Sequence, residues 1–411
     1  MGRNLVGSRR SAAVAVLALL APLLFTGTAT GQPTLPPDVA DPERILDTLL
    51  PQQRLAPGVT QRDFTTTEAA GRVEGHLVEV DLANPRVSTD LLTPGAVAAR
   101  ATVPRMADGA GAVAGINGDF FDLGGTSAAA GPQIKGGRTV KSAVPVHRRL
   151  APPVDGASTE YVFGAGPAGL GRIDRLRFQG TARSEGEVLP LAGLNQYAIP
   201  VGGIGVFSSD WGSATRAGSV CGSNSDPDTG CSPATAVVVR GAAVVAVRDD
   251  PRAGPIPPGT QILVGRDGGA RALAALQVGD DVDISYQLVS QSGRPLHFAV
   301  GGSPILRDGA PTAELGDSER APRSAVGVGP DGRRMYLVAV DGRQSDSVGV
   351  TLEELAGLLE ELTVDDAVNL DGGGSSTLVY REPGQSQVSV VNDPSGSAPR
   401  MVPNGIGVFV R

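Results

Sequence analysis

Aromatic residues make up only 4% of the 411 positions, with one tryptophan, two cysteines and three histidines, and the 35 basic residues include just two lysines, Lys135 and Lys141. So little cysteine excludes a disulfide-built scaffold or a Cys-rich metal domain. His76, His147 and His297 stand too far apart in the chain to read as a histidine metal centre. Beyond residue 25 no apolar run approaches the ~20 residues of a membrane span. Positive charge is also in deficit. There are 43 acidic residues and a net charge of −8, and the deficit deepens once Arg3, Arg9 and Arg10 are set aside, which excludes a nucleic-acid partner. A Walker loop, a Gly-x-Ser-x-Gly elbow and a zincin helix are all missing. Gly164-Ala-Gly-Pro-Ala-Gly169 has the dinucleotide spacing, but Pro167 lies inside it and a β-like pattern follows where a helix is needed.

What is present reads as a folded protein, 41% hydrophobic and 19% charged. Residues 1–10 are basic, Ser11 to Phe25 is apolar, and Gly27-Thr28-Ala29 offers small residues, so 1–31 is expected to be a signal peptide and the protein to be secreted. Pro33, Pro36, Pro37, Pro51 and Pro57 mark 32–71 as a Pro-rich leader or linker. Cys221 and Cys231 bracket a loop of turn formers, and in an exported chain they are expected to form a disulfide.

The remaining 72–411 is expected to be one domain of α/β (mixed α+β) class, with a mixed sheet, a β-rich middle segment over 156–300 and a C-terminal βαβ unit. That unit is the most legible part. Arg334-Met-Tyr-Leu-Val-Ala-Val340 is a buried-strand pattern ending at Asp341-Gly342-Arg343. Thr351 and Glu354 form a capping box, followed by Leu352, Leu355, Leu358, Leu359 and Leu362 at helical spacing. Ala367-Val-Asn-Leu370 then reads as a strand running into Asp371-Gly-Gly-Gly-Ser-Ser376. Parallel strands in one sheet would bring Asp341 and Asp371 to the same edge, where α/β sheets place ligands; alternatively each Asp simply caps a glycine turn.

The chemistry concentrates in a few motifs. Asp371 to Ser376 sets unhindered backbone N–H groups and hydroxyls beside a carboxylate, which suits an anionic or polyhydroxylated ligand. Asn117-Gly118-Asp119-Phe120-Phe121-Asp122 combines amide, carboxylates and aromatics as a sugar site would, although it also fits a hairpin turn with two core phenylalanines. Arg320, Arg323 and Arg343 flank the C-terminal unit and could grip a phosphate, or serve as ordinary surface arginines.

Seven segments occur in an order that resembles the phosphodiester glycosidase family: Asn117–Asp122, Gly301-Gly-Ser-Pro-Ile-Leu306, Pro322-Arg-Ser-Ala-Val-Gly327, Val340-Asp-Gly-Arg343, the Thr351 helix, Asn369 to Ser376, and Asn404-Gly-Ile-Gly407. The resemblance covers about 72–411 and implies a mixed α/β fold whose cleft cleaves a sugar 1-phosphodiester, such as one of N-acetylglucosamine, at the anomeric carbon. Its substrate would be a carbohydrate phosphodiester of a cell wall or exopolysaccharide. No cofactor is required on this reading, and a Ca²⁺ or Mg²⁺ ion at the carboxylates is left open. Asp371 is the first candidate to act on the anomeric carbon, with Asp341 and Asp119 next, and Arg323 is assigned to the phosphate. Substrate contacts are expected from Asn117, Phe120, Gly302, Ser303, Arg343, Gly372, Gly373, Gly374 and Ser375. A metal-assisted phosphodiesterase, a general glycosidase and a non-catalytic glycan-binding wall protein remain the alternatives.

Overall fold

Strand Arg334–Val340 shows how the core is organised. Met335, Leu337 and Ala339 enter one apolar layer, while Tyr336, Val338 and Val340 enter another. Side chains alternate across a strand, so a run with no polar interruption requires cover on both faces. The computed structural model describes residues 48–148, 158–224, 226, 229–313, 315, 318–396 and 398–411. These fall in the compact unit Arg44–Arg411. The expected signal peptide, and the leader as far as residue 47, lie outside the described residues.

The central sheet has nine strands. Along it run Thr48–Leu49, Val59–Glu68, Gly71–Asp81, Arg334–Val340, Arg323–Val328, Asp366–Asn369, Ser303–Arg307 and Ala310–Pro311, and Gln53–Ala56 pairs beside Val59–Glu68. Its pairings are all antiparallel. The fold is thus a β-rich mixed one with three α-helices among the described residues, and the sheet holding the C-terminal unit is corrected to antiparallel where a mixed sheet was expected. Arg334–Val340 and Asp366–Asn369 do run in the same direction, but Arg323–Val328 stands between them, antiparallel to both. The leader reading also gives way from residue 48 onward, because Val59–Glu68 pairs with Gly71–Asp81 along its whole length. Its buried residues change face between Gln61 and Phe64, Val59 entering one apolar layer and Phe64 the other, so no single alternation marks this strand in the sequence.

One face of this sheet carries helix Leu352–Glu361. Thr351 Oγ1 accepts from Glu354 N at 3.2 Å and Thr351 N donates to Glu354 Oε2 at 2.9 Å, completing the capping box. Such a cap stabilises by about 1 kcal/mol. Leu352, Leu355, Leu358, Leu359 and Leu362 are buried with Ile305, Leu306, Ala325 and Val338. Against the other face packs a five-stranded sheet in which Gly405–Val410 lies between Ala114–Asn117 and Val87–Leu92. Phe163, Phe298 and Val300 share that layer, so strands at the two ends of the β-rich middle belong to the central core.

The middle itself forms parts of two further sheets of seven and five strands. Its tryptophan, Trp211, is fully buried and meets Phe207 edge-on with ring centroids 5.0 Å apart. Cys221 and Cys231 are disulfide-bonded. Buried Arg148 and Arg266 hold that loop by donating to the carbonyls of Cys221, Gly222 and Ser223.

Candidate active site

Strand ends supply the site. The strand Ala114–Asn117 stops beside the end of Asp366–Asn369, and the two are knotted through Asn117. Its Nδ2 donates to the Asp371 carbonyl at 2.7 Å, and its Oδ1 accepts from Ser324 Oγ at 2.7 Å and Thr377 N at 3.0 Å. Asp371 N donates to the Gly118 carbonyl at 2.9 Å. Asn117 is wholly buried with both side-chain atoms engaged, so it frames the site in place of the sugar contact expected of it.

The three candidate aspartates have different surroundings. Asp119 is 1% exposed, accepting from Phe120 N at 2.8 Å and Gly131 N at 2.5 Å. Asp341 is 3% exposed, accepting from Asp393 N at 2.9 Å and Asn392 Nδ2 at 3.3 Å and facing His76 Nε2 at 3.2 Å. Both carboxylates are bound within the protein. Asp371 is half-buried, as are Gly372, Gly373 and Gly374 after it. Of the three it is therefore the aspartate with partial solvent access.

His76 lies between two carboxylates, with Nδ1 2.8 Å from Asp63 and Nε2 turned to Asp341. Burial pulls its pKa down, but the hydrogen bonds and charges of Asp341 and Asp63 outweigh burial and raise it to about 9. The bridge continues inward, because Asn392 Nδ2 also donates to the Ser376 carbonyl at 3.2 Å and Asn392 Oδ1 accepts from Leu378 N at 2.8 Å.

Two guanidinium groups press on the turn after Asp371. A Cβ on Gly373 would lie 3.2 Å from Arg343 Nη1, and one on Gly374 would lie 2.5 Å from Arg400 Nη2. Gly373 also has φ +60°, where glycine is favoured, whereas a side chain at Gly374 would have to displace the flexible end of Arg400. Arg400 Nη1 also donates to Ser375 Oγ at 3.3 Å, and Arg343 Nη2 donates to Glu319 Oε1 at 2.5 Å. Arg343 and Arg400 are exposed. Arg323, by contrast, is 8% exposed and donates from Nε to the Val350 carbonyl at 3.1 Å and from Nη2 to the Glu319 carbonyl at 2.6 Å. It holds main chain, so the phosphate role expected of it fits Arg343 and Arg400 better. Arg320 is paired with Glu354.

Gly302 and Ser303 sit close by, Ser303 opposite Asn369 in the sheet, and Phe120 is half-buried near Asp119. Ser375 is buried beneath Arg400. His76, Arg400 and Lys141 were not singled out from the sequence. Lys141 had a signal, being one of two lysines in an arginine-rich chain. Among the described residues, the carboxylates close enough together to share a metal ion are Asp308, Asp365 and Asp366. They lie at the opposite end of the Asp366–Asn369 strand from Asp371, with Arg307 paired to Asp366.

Residues 233–409 match the sequence model of the phosphodiester glycosidase family. That segment is similar to this family. The matched segment contains Arg323, Asp341, Arg343, Asp371 and Arg400, and strand pairing adds Asn117 from outside it. The fold is shared with a hypothetical protein from Synechocystis, 22% identical, TM-score 0.68, over 86% of this chain and 62% of that one. It is shared too with a putative exported protein from Burkholderia pseudomallei, 21% identical, TM-score 0.64, over 82% and 74%. The zebrafish N-acetylglucosamine-1-phosphodiester alpha-N-acetylglucosaminidase catalytic domain, auto-inhibited by its pro-peptide, aligns at 18% identity and TM-score 0.43 over 87% and 85%. The chain thus spans about 62% of the length of the Synechocystis protein. No curated protein matches the sequence.

Proposed function

We propose that the protein is an exported hydrolase that cleaves a sugar 1-phosphodiester at the anomeric carbon. Water adds its oxygen to C1, the bond from C1 to the phosphate oxygen breaks, and free sugar and a phosphate monoester are released. The observation that carries this is the half-buried Asp371 at the head of a side-chain-free turn on which Arg343 and Arg400 converge. Guanidinium groups pair with phosphate oxygens in bidentate fashion and offset the charge that develops on a departing phosphate. A phosphate monoester is a weak base, so this leaving group needs less protonation than an alkoxide does. Asp371 would meet the oxocarbenium-like carbon, either as nucleophile or as base for water.

The disulfide suits an oxidising compartment and the signal peptide would deliver the chain there, with wall or exopolysaccharide phosphodiesters as substrates. N-acetylglucosamine is the first sugar to try. The scheme uses no divalent cation. Hydrolysis of sugar 1-phosphodiesters in ¹⁸O-water, with and without a chelator and beside matching aryl glycosides, tests it. Label in the sugar, unaffected by chelation, is expected. Label in the phosphate would instead make it a metal-assisted phosphodiesterase, cleavage of aryl glycosides alone a general glycosidase, and saturable binding without turnover a binding protein.

A further inference from the structure

Lys141 ends the short strand Arg138–Lys141 and is completely buried. Its Nζ donates to the carbonyls of Ser142 at 2.6 Å, Gly131 at 3.1 Å and Ala130 at 3.2 Å. An ammonium has three donors, and these acceptors match them in number. A planar guanidinium with its five donors in a fork could not be satisfied at one such point, which gives a physical reason for lysine here in a chain that otherwise uses arginine. Hydrogen bonds to carbonyls do not neutralise a buried charge, and the carboxylate acting on Lys141 is that of Asp119.

The two charges meet through one peptide unit. Lys141 holds its carbonyl end, at Ala130, while its N–H end, at Gly131, donates to Asp119 Oδ2 at 2.5 Å. Charge at both ends polarises the peptide group and strengthens both hydrogen bonds. The same unit closes the loop after Gly118. Ala130 N donates to the Phe120 carbonyl at 2.8 Å and Asp122 N to the Ala128 carbonyl at 3.0 Å, and Gly118 in turn receives Asp371 N.

We propose that Lys141 is a positioning residue of the candidate site, whose ammonium pairs with the Asp119 carboxylate through the Ala130–Gly131 peptide and so fixes the 118–131 loop against Asp371. The role at the site rests on the proposed function, whereas the charge pair does not. Burial moves the Lys141 ammonium down to about 7, against the opposing pull of Asp119.

With Lys135→Arg the full chain has a single lysine, whose ¹³Cε resonance can be followed against pH without substrate. The midpoint is expected about three units below the ordinary ~10.4, and to fall by about a further unit in Lys135→Arg/Asp119→Asn. A midpoint near ~10.4, or one that Asp119→Asn leaves unchanged, would overturn the charge pair. In the hydrolysis assay Lys141→Met is expected to lower kcat about tenfold or more with KM little changed, the pattern of displaced catalytic geometry. An unchanged kcat would overturn the positioning role. A protein inert on phosphodiesters but with the depressed, Asp119-dependent titration would overturn the functional reading alone.

Discussion

Two cations reach the neighbourhood of the Asp371 turn through hydrogen-bonded partners, His76 half-buried and Lys141 wholly buried, and the protein treats them oppositely. His76 touches carboxylates through both ring nitrogens, at 2.8 and 3.2 Å, and its pKa is raised to about 9 despite burial. Lys141 touches only carbonyls, with its carboxylate one peptide away, and burial brings it down to about 7. At His76 burial is outweighed by two carboxylates in direct contact, and at Lys141, where none is in contact, burial prevails. On the His76 side the charge is held at neutral pH, and Asp341 also accepts from Asn392, which reaches the end of the turn. On the Lys141 side the charge lies within reach of neutral pH.

The largest expected effect belongs to the group between the flanks. Asp371→Asn should lower phosphodiester turnover by about 10²–10⁴-fold. It should leave the titrations of His76 and Lys141 in place. A loss below about tenfold would move the chemistry to one of the buried aspartates and end the division between framing and reacting carboxylates.

Stability against pH separates the flanks next. The folded value of His76 lies above its ordinary 6.5, so its contribution, on the order of 3 kcal/mol, is complete below 6.5 and is lost as pH rises through about 9. For Lys141 the folded value lies below 10.5, so between about 7 and 10.5 the unfolded chain binds more protons and stability rises with pH. Denaturant unfolding across that range should show His76→Gln losing the falling component while the rising one stays. A falling limb that survives His76→Gln would assign it elsewhere.

The smallest effect distinguishes the two carboxylates on His76. The Asp341 side chain is 5% exposed and that of Asp63 is 42% exposed. The imidazole midpoint, read by NMR on a chain with three histidines, should therefore fall further in Asp341→Asn than in Asp63→Asn. The reverse order would mean that the outer contact, which water screens, is the stronger.

Local features were legible in the sequence. The capping box at Thr351, the leucine stripe behind it and the strand 334–340 each depend on neighbours within a few residues, and each stands as read. The turn at Asp371 stood out as a candidate because glycine, hydroxyl and carboxylate stand next to one another. Pairing was not legible. Nothing near residues 334–369 shows that Arg323–Val328 will insert between the strands on either side of the helix. Burial was not legible either. The sequence offers Asp119 and Asp341 as candidates after Asp371 and Asn117 as a sugar contact, and what buries Asn117 and Asp119 is contacts 254 positions away for the one and 285 for the other. Arg400 reaches Ser375 across 25 positions and belongs to no motif.

The place of Gly405–Val410, between Ala114–Asn117 and Val87–Leu92, bears on how the molecule is made. An emerging nascent chain carries both neighbours as open edges while residues 118–404 are made, and non-local pairing of this kind is slow and exposed to mispairing. Asn404, just before that strand, supplies the acceptor for Asp119 N. The frame around Asp371 therefore forms only after its own turn has emerged, and a chain cut off before Asn404 would have its Asp-Gly-Gly-Gly turn but lack the support beneath it.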